Sequence, residues 1–139
     1  GTMMAVTGTP FDFNTPKSID QDVTNFDNEQ IKFGKGFDHN WVLKTKGDIH
    51  QVAAQLTSPN TGITLEVYTD EPGIQVYTGN FLDGTVQGKK GIVYPQRASV
   101  CLETQHYPDS PNKKHWPSVV LEPGKTYTSH CIFKFGVIK

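Results

Sequence analysis

Between Trp41 and Val137 apolar residues recur at every second position, in short runs broken by clusters of glycine, proline, asparagine and serine. That spacing builds strands with one buried face, and it leaves little room for long amphipathic helices. Gln51–Thr57 and Ile63–Tyr68 flank Ser58-Pro59-Asn60-Thr61-Gly62, a loop of turn formers, so a β-hairpin is expected there. In its second arm Ile63, Leu65 and Val67 share one face, and Thr64, Glu66 and Tyr68 the other. Further strands are expected at Ile74–Thr78, Ala98–Thr104 and Tyr127–Val137. Five or more strands without helical connections predict an all-β chain, an antiparallel β-sandwich.

Before Trp41 the expectations are less regular. Gly1–Phe13 reads as an extended arm. Thr15-Pro16 offers an N-cap followed by proline at the first helical position, so a short helical turn is expected towards Val23. Residues 24–36 read as loop. Asp83–Pro95 is expected to be a long loop with Lys89-Lys90 at its tip, and Pro108–Pro117 is too rich in proline and polar residues for regular structure.

The 139 residues carry 13 basic and 14 acidic side chains, a formal net charge of −1, which gives no electrostatic basis for a nucleic acid or an anionic membrane as partner. No apolar run reaches the roughly 20 residues needed to span a bilayer. Cys101 and Cys131 both fall in strand-like runs, which predicts two reduced core thiols and a cytoplasmic setting. No internal repeat or linker divides the chain, so one folding unit is expected. His39, His50, His106, His115 and His130 show no short metal-ligand pairing, and there is no nucleophile elbow and no phosphate-binding glycine loop.

Three clusters carry chemistry suited to a neutral polyol. Val100-Cys101-Leu102-Glu103-Thr104-Gln105 places a carboxylate on an apolar strand just before a proline-rich loop. Glu103 is either a solvated side chain or, if partly desolvated, a base able to take a proton from a sugar hydroxyl. Phe37-Asp38-His39-Asn40-Trp41 gathers an acid, an imidazole, an amide and an indole; it reads as a hydroxyl-binding group or as a turn in which Asp38 or Asn40 bonds its own backbone. In Pro72-Gly73-Ile74-Gln75-Val76-Tyr77-Thr78-Gly79-Asn80-Phe81-Leu82-Asp83-Gly84, Gln75 alternates with apolar neighbours, and Phe81 is a plug over a core edge or a stacking platform.

In order and surroundings these clusters resemble the galactose mutarotase (aldose 1-epimerase) family, from Thr9-Pro10-Phe11-Asp12-Phe13 to Phe133-Lys134-Phe135. The resemblance implies part of a large β-sandwich, with Glu103 as the general base of the Leu-Glu-Thr-Gln context. It also implies that Asp38, Gln75 and Phe81 contact a hexose such as galactose or glucose, with no cofactor. Anomers would interconvert by ring opening, Glu103 taking the C1 hydroxyl proton while a histidine protonates the ring oxygen. The family's acid motif, Asn-His-x-Tyr-Phe-Asn-Leu, does not occur in this sequence. Residues 1–139 are therefore expected to be the C-terminal portion of such an enzyme, inactive alone and partnered by the missing N-terminal portion. A non-catalytic carbohydrate-binding β-sandwich is the alternative.

Overall fold

The computed structural model describes residues 1–138. Six strands dominate: β1 (Asp38–Val42), β2 (Ala54–Thr57), β3 (Ile63–Thr69), β4 (Gly73–Tyr77), β5 (Cys101–Gln105) and β6 (Cys131–Val137). They form two antiparallel three-stranded sheets, ordered β1-β4-β5 and β2-β3-β6. Helix is confined to α1 (Glu29–Gly34) and three single 3₁₀ turns, so the all-β expectation holds. No helix of the described residues is long and apolar enough to cross a membrane.

Two compact units are distinguished. The first comprises Gly1–His39 and Gln75–Glu103. Its centre is Val23, Ile31 and Phe37, all essentially inaccessible to solvent. The opening arm is packed onto this centre: Phe11 and Phe13 meet Phe37 edge-to-face, at ring separations of 5.6 and 5.4 Å. The helical turn expected after Thr15-Pro16 forms later, at Ile19–Gln21, because Ser18 accepts the Asp20 N–H and caps it. Residues 24–36 are not all loop. Asn28 caps α1 by accepting the Gln30 and Ile31 N–H groups, and Ile31 anchors the helix in the core. The expected loop after Asp83 does carry Lys89-Lys90 at its tip, in a 3₁₀ turn closed by bonds between Gly88 and Ile92 and between Val86 and Tyr94.

The second unit comprises Asn40–Ile74 and the chain from Thr104 onward. Leu43, Val67 and Ile74 are its buried apolar residues. The expected hairpin is present as β2 and β3, paired from Ala54↔Val67 to Thr57↔Thr64, with the Gly62 N–H closing the turn onto the Ser58 carbonyl. β6 pairs along the other side of β3, from Ile63↔Val137 to Thr69↔Cys131.

The last strand starts at Cys131 rather than Tyr127. The preceding side chains serve a different purpose: the Tyr127 and Ser129 hydroxyls donate to Glu71, and the His130 N–H donates to Asp70. Glu71 is buried, and the His106 Nδ1 lies 2.6 Å from its other oxygen. Burial pushes the Glu71 carboxyl upward, but the Tyr127 and Ser129 hydrogen bonds and the charge of His106 outweigh it and hold the carboxyl below its ordinary value. Both cysteines are free, yet neither is a core thiol: Cys101 is half-buried, and Cys131 is exposed because β6 is open to solvent along its length.

Candidate active site

Asp38 opens β1 rather than sitting in a turn, and its position is set by how α1 ends. Lys35 takes the left-handed conformation at φ 54°, and its N–H closes the last helical turn. Gly36 follows at φ 140°, where a Cβ would collide with the Asn80 amide, so only glycine fits. Asn80 is buried and donates to the carbonyls of Gly34 and Phe37 at 2.8 Å each, while accepting the Thr78 hydroxyl at 2.6 Å. Thr78 also receives the Phe37 N–H, and the Phe37 carbonyl lies within reach of the same hydroxyl as a second, longer acceptor at 3.1 Å. This polar lock ties the start of β1 to the segment that leads into Phe81.

From that base the structure brings Asp38 and Gln75 together. The Gln75 Nε2 donates to the Asp38 Oδ1 at 2.9 Å, across 37 residues of sequence. The Gln75 Oε1 is buried and accepts no hydrogen bond among the described residues, so the amide keeps an unused acceptor. Glu103 lies on β5, the neighbour of β4 in the sheet. Its side chain is exposed, and it has no hydrogen-bond or ion-pair partner among the described residues.

Phe81 is 56% exposed, which favours a platform over a plug. Its N–H donates to the Tyr77 hydroxyl, and its ring stacks on Tyr77 with a 16° interplanar angle. The Lys35 ammonium lies 5.5 Å from the ring centroid. Phe81 lines an open recess of about 430 Å³ together with Lys35, Asn80, Leu82, Asp83 and Gln96. The Thr85 hydroxyl and N–H hold the Asp83 carboxyl below its ordinary value. An amide, a carboxylate and an ammonium thus surround one accessible aromatic face.

His39 belongs to the scaffold. Its Nδ1 accepts the Asp38 N–H at 3.0 Å, and its ring meets Phe11 edge-to-face at 4.7 Å. Burial pushes the imidazole below its ordinary value against the opposing pull of the Asp38 carboxylate, which favours a neutral ring protonated on Nε2. In the second unit, the Gln105 Nε2 donates to the Asn40 Oδ1 at 3.2 Å. Sequence reasoning missed Thr78 and Asn80 as the supports of Asp38 and Phe81; the only signal was their position between Gln75 and Phe81.

A sequence model of the family described as aldose 1-epimerase matches residues 1–134. The chain belongs to the aldose 1-epimerase family. It is 43% identical to human galactose mutarotase over 137 residues, covering 99% of this chain and 38% of that protein. To the aldose 1-epimerase of Escherichia coli (strain K12) it is 38% identical over 135 residues, covering 96% of this chain and 38% of that protein. The crystal structure of the GalM/aldose epimerase homologue from C. elegans superposes with a TM-score of 0.84 at 28% identity, over all of this chain and 40% of that one. This epimerase-family chain thus spans about two fifths of the length of the relatives it matches.

Proposed function

We propose that residues 1–139 are the C-terminal, base-bearing portion of an aldose 1-epimerase acting on galactose or glucose. Glu103 is the general base that removes the C1 hydroxyl proton. Its exposure leaves it open to a substrate, and no partner among the described residues occupies it. Asp38 and Gln75 hold adjacent sugar hydroxyls, the carboxylate accepting and the amide bridging. Phe81 supplies the surface against which the C–H face of the ring rests. The proton delivered to the ring oxygen comes from an N-terminal portion outside this sequence, which makes the chain alone inactive. The two free cysteines favour a reducing, cytoplasmic setting.

The observation that carries this proposal is the Asp38–Gln75 hydrogen bond, formed between residues distant in sequence, with Gln75 on β4, the strand beside the one that bears Glu103, and Asp38 on β1 across β4 from it. Positioned proton transfer of this kind contributes roughly 10²–10⁴-fold to a rate. The test is the optical rotation of freshly dissolved α-D-galactose, followed with the chain alone and with the complementary portion of a relative co-produced. Acceleration only in the complex, lost on Glu103→Gln, is the expected result. A folded complex that binds galactose without accelerating anomer exchange would instead assign the chain to carbohydrate binding.

A further inference from the structure

The β2-β3-β6 sheet has two unlike faces. The register places Ala54, Leu56, Ile63, Leu65, Val67, Phe133, Phe135 and Val137 on one side, an apolar run interrupted only at its end by Thr69 and Cys131, where the buried Thr69 hydroxyl donates to the His130 carbonyl. The other side carries Gln55, Thr57, Thr64, Glu66, Tyr68 and Lys134, and there Glu66 accepts hydrogen bonds from Lys134 at 2.9 Å and from Tyr68 at 2.8 Å. One face is built for water and the other for cover. The cover is incomplete. Val67 is fully buried, but Phe133 is 48% and Phe135 70% exposed, and Ile63 and Val137 are similarly open. The two phenylalanines alone leave roughly 240 Å² of apolar surface in water, taking about 200 Å² for each ring.

The edge is open as well. Among the described residues β6 pairs only with β3, so its outer N–H and C=O groups are available along seven residues. It contains no proline, and its single lysine is held to Glu66, where it does little to guard the edge.

We infer that this apolar face and the free edge of β6 are the seat of the complementary portion of an aldose 1-epimerase, the part of the relatives that this chain does not span. Human galactose mutarotase extends well beyond the 38% matched here, and a further sheet layer from that length fits a bare apolar face joined to an unpaired edge. A second copy fits less well. Antiparallel pairing of β6 with itself about Lys134 sets two ammonium groups opposite each other and completes the edge without covering Phe135. The inference rests on the chain being one portion of the epimerase fold and is independent of Glu103 acting as a base.

The test co-produces the chain with the stretch of human galactose mutarotase that it does not match, and reads assembly rather than activity. Light scattering after size exclusion is expected to show a 1:1 complex, with amide exchange in β6 slowed at least 10-fold. Phe135→Lys, on the apolar face, is expected to weaken assembly at least 10-fold, whereas Ile132→Lys, on the opposite face of the same strand, leaves it within 2-fold. Phe135 is largely exposed, so the substituted chain keeps its circular dichroism. Absence of a complex, equal effects of the two substitutions, or a homodimer dissolved by Phe135→Lys would each overturn the assignment. A complex that assembles as expected but does not exchange anomers refutes the catalytic proposal and leaves the docking surface standing.

Discussion

Replacing Asn80 by alanine removes the two donors that reach the Gly34 and Phe37 carbonyls and the acceptor that receives Thr78. The freed Thr78 hydroxyl can turn to the Phe37 carbonyl, but the Gly34 carbonyl loses the Asn80 amide as its partner. Three hydrogen bonds lost and one re-formed leave a net loss of two, which at about 1 kcal/mol each sets the cost at roughly 2 kcal/mol. For a chain of this size that corresponds to a fall in melting temperature on the order of 10 °C. Asn80→Asp discriminates hydrogen bonding from simple packing. The aspartate can still accept from Thr78, yet it sets a carboxylate against two carbonyls, so it is expected to cost at least about 1 kcal/mol more than alanine. Burial would raise the folded-state pKa of this aspartate above its unfolded value. The stability of the variant is then fully present below the unfolded pKa and is lost as pH rises through the folded one. Urea titrations of the three proteins at pH 4 and pH 7 measure both effects. An alanine variant within about 0.5 kcal/mol of the parent, or an aspartate variant no worse than alanine at pH 7, would refute the polar-lock account.

Glu71→Gln is expected to flatten the acid limb of stability. The folded Glu71 pKa lies below its ordinary value, so its contribution is present above that value and disappears as pH falls through the folded pKa; melts of parent and variant should converge on acidification. Gly36→Ala is expected to lower the melting temperature by several degrees, since φ 140° costs alanine about 1–3 kcal/mol and its methyl displaces the buried Asn80 amide. Glu103→Gln is expected to leave the melting temperature of the chain within about 1 °C, because the exposed carboxylate has no partner to lose among the described residues; a large shift would show that Glu103 holds the fold together.

The strands were legible because each carries its own period. Ile63–Tyr68 alternates apolar and polar residues, and turn formers bracket it, so its pairing with the preceding run follows from local chemistry. α1 escaped notice for the opposite reason. It has six residues and buries only Ile31, while Phe33 lies exposed, so no apolar stripe marks it; the Asn28 cap was the sole local signal. Tyr127 and Ser129 alternate as a strand should, but a buried carboxylate at Glu71 offers their hydroxyls stronger partners than a ladder does. The β6 phenylalanines fall on one side of a strand the sequence predicts, yet they are exposed, because residues 1–138 supply no layer to cover them.

Asp38, Gln75, Phe81 and Glu103 were named from short motifs that resemble a family, and the match that places the chain within it runs over residues 1–134. Their residue types, the strand alternation and the turn chemistry are all properties of near neighbours in sequence, which is why the sequence by itself determined the all-β class and nominated the site. Only tertiary structure decided that the Gln75 amide reaches Asp38, that Asn80 fixes the turn before it, and that Phe81 stands open to solvent. Each of those contacts joins residues many positions apart, and burial, which decides whether a polar group must find a partner inside the protein, exists only once the chain has closed around it.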